Sequence, residues 1–191
     1  MKKVLIFITW VSVLGCNSYI FEDYFPLKEG NQWIYTDGES EFQSYVEKSD
    51  SLYHMVLGNR SYYFLKDFSG IYHKRSIVKT YNGDKVEFGD IMELYLPNPI
   101  IDNDIFTYNK IFKKVFGGDT ATFYYSNSIK IELIGDLEIM RKKFHSCYLV
   151  ERILILDYDT IQTKEYYAPD IGLVRIEENG KIWDLKECSL Y

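Results

Sequence analysis

Alanine is scarce in this chain. Only two of its 191 residues are alanine, Ala121 and Ala168. Because alanine is the strongest helix former, this scarcity excludes an all-helical fold. The chain has instead 21 isoleucines and 18 tyrosines, residue types that favour strands. With 47% hydrophobic and 17% aromatic residues, the composition fits one globular, β-rich domain.

The chain also lacks an excess of basic residues. It contains 22 lysines and arginines against 28 acidic residues, which gives a formal net charge of -6 and a pI near 5.1. Proteins that neutralise nucleic-acid phosphates need a clustered excess of lysine and arginine. The composition therefore argues against a nucleic-acid partner.

No apolar run reaches the length of about 20 residues that a transmembrane helix requires. The longest such run extends over eleven residues, from Val4 to Leu14, and follows the basic residues Lys2 and Lys3. A basic start, a short apolar middle and a small residue at the end describe a secretory signal peptide. We therefore expect the chain to be exported.

The signal peptide ends in Val13-Leu14-Gly15-Cys16, which resembles the lipobox of bacterial lipoproteins. The resemblance implies that Cys16 is the site of lipid attachment and that the chain is cleaved between Gly15 and Cys16. An uncleaved anchor and a secreted protein with a chance cysteine are the alternatives. Asn17 follows the cysteine instead of aspartate, which favours the outer membrane by the enterobacterial sorting habit.

These features predict three segments. Residues 1–15 are a lipoprotein signal peptide, residues 16–23 a short tether, and residues 24–191 a single β-rich domain. Acyl chains at Cys16 would hold the domain to a membrane without a spanning helix. We expect a location in the cell envelope, outside the cytoplasm.

Two cysteines remain after the lipidation site. Cys147 and Cys188 form an even pair in an exported domain, which makes them a candidate disulfide. The rival interpretation is a thiol nucleophile or a metal site at His145-Ser146-Cys147, since His145 and Cys147 would share one face of a strand. The sequence has no CxxC or HExxH spacing, and we predict no metal site.

The rest of the chain is a series of short apolar segments separated by turn residues, which predicts ten or eleven antiparallel strands. We expect an all-β fold: a single antiparallel β-sheet domain, in the form of a strongly curved sheet or an open barrel or sandwich, preceded by a helical signal peptide. The predicted strands include residues 33–35, 42–46, 52–57, 62–65, 77–81, 86–88, 172–177 and 181–187.

Some expectations are specific enough to be checked. Turns at residues 82–84, 117–119 and 178–180 predict hairpins. Alternation at Ile129, Ile131 and Leu133 predicts a strand with one dry face. The nearly continuous apolar run from Tyr148 to Tyr158 predicts a central strand covered on both sides. A short helical turn is expected around residues 102–108.

Two segments resemble those of a group of uncharacterised bacterial exported lipoproteins. The opening segment is residues 24–35, Tyr-Phe-Pro-Leu-Lys-Glu-Gly-Asn-Gln-Trp-Ile-Tyr, and the closing segment is residues 166–174, Tyr-Tyr-Ala-Pro-Asp-Ile-Gly-Leu-Val. Residues 144–147 resemble a third segment of that group. The resemblance implies a β-rich envelope domain and brings no catalytic residues. Trp33 and Tyr35 would point to one face, where they fill a core or line a groove, and we favour the core.

No residue spacing in the sequence indicates catalysis. The three histidines lie far apart, an EF-hand fails because Thr107 and Lys113 occupy its glycine and glutamate positions, and no phosphate-binding loop is present. We predict no catalytic residues and no cofactor. Three functions remain: non-enzymatic binding of an apolar ligand or an envelope protein, a structural or surface-interaction module without a pocket, and a hydrolase whose site is assembled from distant residues.

Overall fold

The structure, a computed structural model, describes residues 22–81, 84–116 and 118–191. The described part of the chain is all-β, as predicted. Its twelve strands are β1 (Gln32–Thr36), β2 (Glu41–Ser49), β3 (Leu52–Leu57), β4 (Arg60–Asp67), β5 (Gly70–Tyr81), β6 (Asp84–Pro97), β7 (Ile105–Phe116), β8 (Asp119–Ile139), β9 (Lys142–Leu156), β10 (Asp159–Ala168), β11 (Gly172–Glu178) and β12 (Lys181–Ser189). Among these residues there is no helix with the length and hydropathy needed to cross a bilayer.

All twelve strands belong to one antiparallel sheet with the order β6-β5-β4-β3-β2-β1-β12-β11-β10-β9-β8-β7. The first and last strands of the chain pair with each other in the middle of this order. The edge strands β6 and β7 are consecutive in the chain, and the Lys114 ammonium of β7 donates to the backbone oxygen of Glu87 in β6 at 2.6 Å. The sheet therefore curls until its edges approach each other, and it nearly closes on itself.

The concave face of the sheet encloses the core. The larger apolar cluster includes Phe25, Trp33, Tyr35, Phe64 and Tyr167, all of which are less than 5% exposed. A smaller cluster forms around Ile77, Ile91, Phe112, Phe123 and Tyr125 on strands near the two edges. Strand alternation thus turns one face of each strand inward, and the expectation that Trp33 and Tyr35 belong to the core is confirmed.

The opening and closing segments meet in space. The indole nitrogen of Trp33 donates to the backbone oxygen of Ile171 at 2.8 Å, and the Tyr35 hydroxyl donates to the backbone oxygen of Leu173 at 2.9 Å. Before the first strand, the Asp170 amide donates to the backbone oxygen of Asp23 at 2.8 Å. We call this set of contacts the clasp. It uses the polar ends of buried aromatic side chains to fix one chain end against the other.

The structure corrects three local predictions. In place of the expected helical turn at residues 102–108, the chain makes a turn at Asp102 and Asn103, and β7 starts at Ile105. The strand at residues 148–158 is not covered on both sides, because Ile153 is 42% exposed on its outer face. Leu133 is exposed as well, since a bulge after it shifts the register of β8.

Other local predictions are confirmed or lie outside the described residues. Ile129 and Ile131 are buried as expected, and Lys181 pairs with Glu178 across the predicted hairpin at residues 178–180. The signal peptide, Gly15 and Cys16 lie outside the described residues, as do Asn82, Gly83 and Gly117. The described residues contain twelve strands instead of the expected ten or eleven, partly because the helical turn expected at residues 102–108 covers the start of β7.

Gly172 is the position where the clasp leaves no room for a side chain. Its φ is +91°, and a Cβ atom there would lie 2.9 Å from Cδ of Pro26. We expect Gly172→Ala to lower the free energy of unfolding by ~1–2 kcal/mol for the left-handed backbone and by ~1–3 kcal/mol more for the overlap with Pro26. Urea unfolding followed by tryptophan fluorescence measures this loss.

Gly38 is the matched control for this substitution. It has nearly the same φ, +93°, but nothing lies within 4 Å of the added Cβ. Gly38→Ala should show the backbone cost alone. Equal losses in the two variants would contradict the close packing of the opening and closing segments.

Candidate functional site

A cleft of about 780 Å³ opens on the concave side of the sheet. One wall comes from β3, β4 and β5 and the other from β9, β10 and β11, so residues distant in sequence face each other across it. Apolar and aromatic side chains form much of these walls: Leu52, Leu57, Tyr62, Leu154, Ile161 and Ile176. We call this space the cleft.

Arg152 and Glu165 form a buried ion pair that lines the cleft. Arg152 lies in β9 and Glu165 in β10, on the same inward face, because Arg152 pairs in register with Thr163 and Glu165 follows two residues later. Nη2 of Arg152 is 3.0 Å from Oε2 of Glu165, and both residues are 7% exposed. Breaking such a pair from one side leaves an uncompensated buried charge.

Glu165 has further hydrogen-bond donors around it, whereas part of the Arg152 guanidinium has no hydrogen-bond acceptor. Glu165 also accepts hydrogen bonds from Tyr95 Oη at 3.1 Å and Tyr167 Oη at 2.8 Å. Arg152 donates from Nη2 to Glu165 and to the backbone oxygen of Tyr95 at 3.1 Å. Its Nε and Nη1 atoms are buried and have no hydrogen-bond partner. Three of the five guanidinium N–H groups therefore lack an acceptor.

Arg152 keeps its charge despite its burial. Burial alone would lower the pKa of Arg152, but the negative charge of Glu165 raises that pKa above its ordinary value. The guanidinium also lies over the ring of Tyr95, 4.1 Å from the ring centroid, an arrangement that favours a cation. Arg152 therefore remains a cation in the lining of the cleft, paired with Glu165 but with three N–H groups that lack an acceptor.

A second buried carboxylate, Glu93, lies next to the cleft. It accepts hydrogen bonds from Tyr125 Oη at 2.6 Å and Asn127 Nδ2 at 2.9 Å, and its Oε1 lies 3.4 Å from Nε of Arg75. Burial alone would raise the pKa of Glu93, but the nearby imidazole of His73, the hydrogen bond from Tyr125 and the charge of Arg75 lower it to about 2. Glu93 is therefore ionised at neutral pH.

These two polar clusters connect the edge strand β6 to strands on the other side of the gap. Glu93 and Tyr95 both belong to β6, which has no hydrogen-bonded ladder with β7 in the described residues. Their partners lie in β8 (Tyr125 and Asn127) and β9 (Arg152). Side-chain hydrogen bonds across the interior thus replace the missing backbone ladder. The cleft depends on them for its shape.

The residues that the sequence analysis singled out do not converge on the cleft. Cys147 and Cys188 are both free thiols, and β10 and β11 separate the strands that carry them. Adjacent strands lie about 4.8 Å apart, so the candidate disulfide would need a movement of the backbone. The structure does not bring this pair together.

The rival thiol or metal site at residues 145–147 is not assembled either. Ser146 has a φ of +53°, which interrupts the alternation of the strand. His145 is exposed and bonds to Asp136 at 2.8 Å, whereas Cys147 is buried. Burial raises the pKa of Cys147 to about 11. Within the described ranges no group of three histidine, cysteine, aspartate or glutamate residues could hold a metal ion.

Sequence reasoning missed Arg152, Glu165 and Glu93. Arg152 stands in the middle of the apolar run at residues 148–158, at the same parity as Val150 and Leu154. A charge at an inward position of an apolar strand requires a buried partner, and this signal was present in the sequence. Nothing local, however, identifies Glu165 as that partner.

The lowered pKa of Glu93 predicts a pH dependence of stability. Its pKa falls from 4.5 to about 2 on folding, so the folded state binds fewer protons, and stability is lost as the pH falls below about 4.5. Glu93→Gln should lower the free energy of unfolding at neutral pH and should remove roughly 2 kcal/mol of the loss between about pH 7 and pH 3. Urea unfolding across this pH range measures both effects.

Asp90→Asn is the matched control, because Asp90 also lies in β6 but pairs with Lys74 on the exposed face at 3.0 Å. Exposed ion pairs contribute little to stability. Hydrogen bonds from Ser76 and Lys74 lower the pKa of Asp90, but solvent screens them at this exposed position, so the variant should keep most of the acid sensitivity of the unsubstituted protein. An unchanged pH profile for Glu93→Gln would contradict the ionised, buried state of Glu93.

The chain matches no known protein family and no curated protein. Solved structures give two similarities. A Bacteroides fragilis protein described as exported, with a YmcC-like fold, is 14% identical over 88% of this chain and 99% of that one, with a TM-score of 0.33. A Parabacteroides distasonis protein described as a lipoprotein is 16% identical over the same shares, with a TM-score of 0.31. These similarities are distant.

Proposed function

We propose that this chain is a lipid-anchored protein of the bacterial cell envelope that binds a ligand in its cleft without transforming it. The proposal has two parts. The anchor rests on the sequence of residues 1–16, and the binding role rests on the geometry of the described residues. We take the outer membrane as the favoured membrane.

The cleft carries the binding role. Its volume of about 780 Å³ is within the range of small-molecule sites, which combine apolar walls with a few polar groups that orient the ligand. The cleft has both features, with Leu57, Ile161 and Ile176 in its walls and Arg152 at its base. Trp33 and Phe64 fill the core, as the alternative of a structural module without a pocket requires. Tyr62, however, lines the open space of the cleft, which favours a binding role.

The short tether would keep this cleft close to the membrane. The described chain starts at Glu22, and Phe25 and Leu27 are already buried in the core. Lys66 pairs with Asp23 at 2.6 Å and so holds the chain in place directly after the first described residue. Only six residue steps separate Cys16 from Glu22, a reach of about 20 Å when fully extended. A ligand could therefore pass between the cleft and the nearby leaflet.

One observation favours the hydrolase alternative. His73 lines the cleft, and its Nδ1 lies 3.7 Å from Oε1 of Glu93 and 3.5 Å from Nη2 of Arg75. Burial lowers the pKa of His73, so the ring is neutral and could accept a proton at neutral pH. Recovery of cleaved ligand fragments that depends on His73 would favour this alternative over simple binding.

Lipidation at Cys16 can be tested by metabolic labelling with a palmitate analogue. The unsubstituted chain should incorporate the label, whereas Cys16→Ser should lose it and keep residues 1–15, because processing depends on the modified thiol. Cys188→Ser is the control: it removes an exposed thiol and should be labelled normally. Undiminished label in Cys16→Ser would contradict the anchor.

Ligand binding can be tested by filling the cleft. Thr163 lines it, so Thr163→Trp should occupy part of the space and exclude the ligand. Full-length protein is purified from its native host in one detergent, and the small molecules that copurify are compared by mass spectrometry. A species present in the unsubstituted protein should be depleted at least tenfold in Thr163→Trp.

Thr122→Trp provides the control for this test. Thr122 is exposed in β8 and is not part of the cleft, so this variant should retain the ligand. Equal small-molecule content in the unsubstituted protein and in both variants would count against the cleft as a binding site.

A further inference from the structure

The N–H groups of Arg152 that lack acceptors indicate the chemistry of the ligand. Buried polar groups are nearly always hydrogen-bonded in folded proteins. Leaving one unsatisfied costs ~1–3 kcal/mol, and more when the group is charged. Arg152 lacks partners at both Nε and Nη1, although the residue lines an open cleft. Acceptor oxygens that enter from the cleft would satisfy these groups.

The charged residues around the cleft are paired. Its lining contains four basic residues, and each has one acidic partner: Arg60 with Glu178, Lys74 with Asp90, Arg75 with Glu93 and Arg152 with Glu165. The charges therefore balance, in a chain whose formal net charge is -6. Arg152 differs from the other three because its Nε and Nη1 are buried without an acceptor.

The existing partners of Arg152 make an anionic head group the best match. Glu165 already receives hydrogen bonds from Tyr95 and Tyr167, so it shares its negative charge with two hydroxyls as well as with Arg152. The remaining N–H groups of the guanidinium can therefore accommodate a second anion. Charge-assisted hydrogen bonds from arginine to carboxylate or phosphate are among the strongest in proteins.

The apolar residues in the walls of the cleft indicate the chemistry of the rest of the ligand. Leu52, Leu57, Leu154, Ile161 and Ile176 offer apolar contacts that favour a hydrocarbon chain or ring system at about 25 cal/mol per Å² buried. We infer that the ligand is an amphipathic anion, with an apolar body between the two walls and an acidic oxygen group bound by Arg152. This inference rests on the proposed binding function of the cleft.

Four single-chain amphiphiles with the same tail test the inference. Dodecanoate and dodecyl phosphate carry the two acidic head groups, while dodecanol and dodecylamine are the neutral and cationic comparisons. Binding to the full-length protein is measured by calorimetric titration in a non-ionic detergent. At least one acidic amphiphile should bind tenfold or more tightly than both comparisons, and the stronger of the two identifies the head group as carboxylate or phosphate.

The substitution test removes Arg152 together with Glu165. The double variant Arg152→Met, Glu165→Gln keeps the net charge and leaves no unpaired buried ion, which a single substitution would. It should lose at least tenfold in affinity for the acidic amphiphile and change little toward dodecanol. The control is Arg175→Met, Asp184→Asn, which removes another ion pair between adjacent strands, 2.5 Å long and outside the cleft. This control should bind normally.

Arg60→Gln keeps the inference testable if the double variant does not fold. Arg60 is exposed at the edge of the cleft, where it forms a two-point ion pair with Glu178 at 2.7 and 2.8 Å. Its loss should weaken binding of the acidic amphiphile about threefold and reduce the salt dependence of binding. Thermal unfolding verifies that the variant is folded.

The outcomes separate this inference from the proposed function. Equal binding of all four amphiphiles, unaffected by the double variant, would overturn the inference and leave the cleft as a site for neutral apolar ligands. The unused N–H groups would then hold water. No saturable binding of any amphiphile would also overturn the inference, and the Thr163→Trp copurification experiment decides the binding function independently.

Discussion

The junction between the two ends of the chain holds the rest of the structure in place. β1 pairs with β12 on one side and β2 on the other, so two six-stranded meanders become one sheet only at this point. The clasp reinforces the junction with hydrogen bonds from Trp33 and Tyr35 to the closing segment. Because these donors are buried, losing their acceptors would cost more than the bonds themselves contribute. The opening and closing segments are therefore one structural unit.

The opposite side of the sheet is held differently. Between β6 and β7 the described residues form no ladder, and the gap is bridged by Glu93, Tyr95 and Arg152 through side-chain bonds across the interior. Charges buried for this purpose must be paired, and Glu165 completes the pairing. The same arrangement leaves part of Arg152 without acceptors at the base of an open cleft. The side-chain hydrogen bonds that bridge the unpaired edges of the sheet thus also form the strongest candidate for a binding site.

Much of the fold could be predicted from the sequence. Scarce alanine, abundant isoleucine and tyrosine, and turn residues between short apolar segments indicate antiparallel strands, because side-chain alternation is a local property of the strand. The failures also have local causes. A bulge exposes Leu133, and the positive φ of Ser146 separates His145 from Cys147. Single-residue irregularities of this kind depend on the neighbouring strand, which the local pattern does not specify.

The candidate site depends on contacts that no local pattern contains. The sequence by itself determined the all-β class. It is the whole basis of the signal peptide prediction at Cys16, and it contains the anomaly of Arg152 in an apolar strand. Only the tertiary structure decided that Arg152 meets Glu165 and the backbone of Tyr95, 57 residues away in the chain. The reason is that curvature of the sheet, set by the pairing of β1 with β12 and the approach of β6 to β7, determines which inward-facing residues share the cleft.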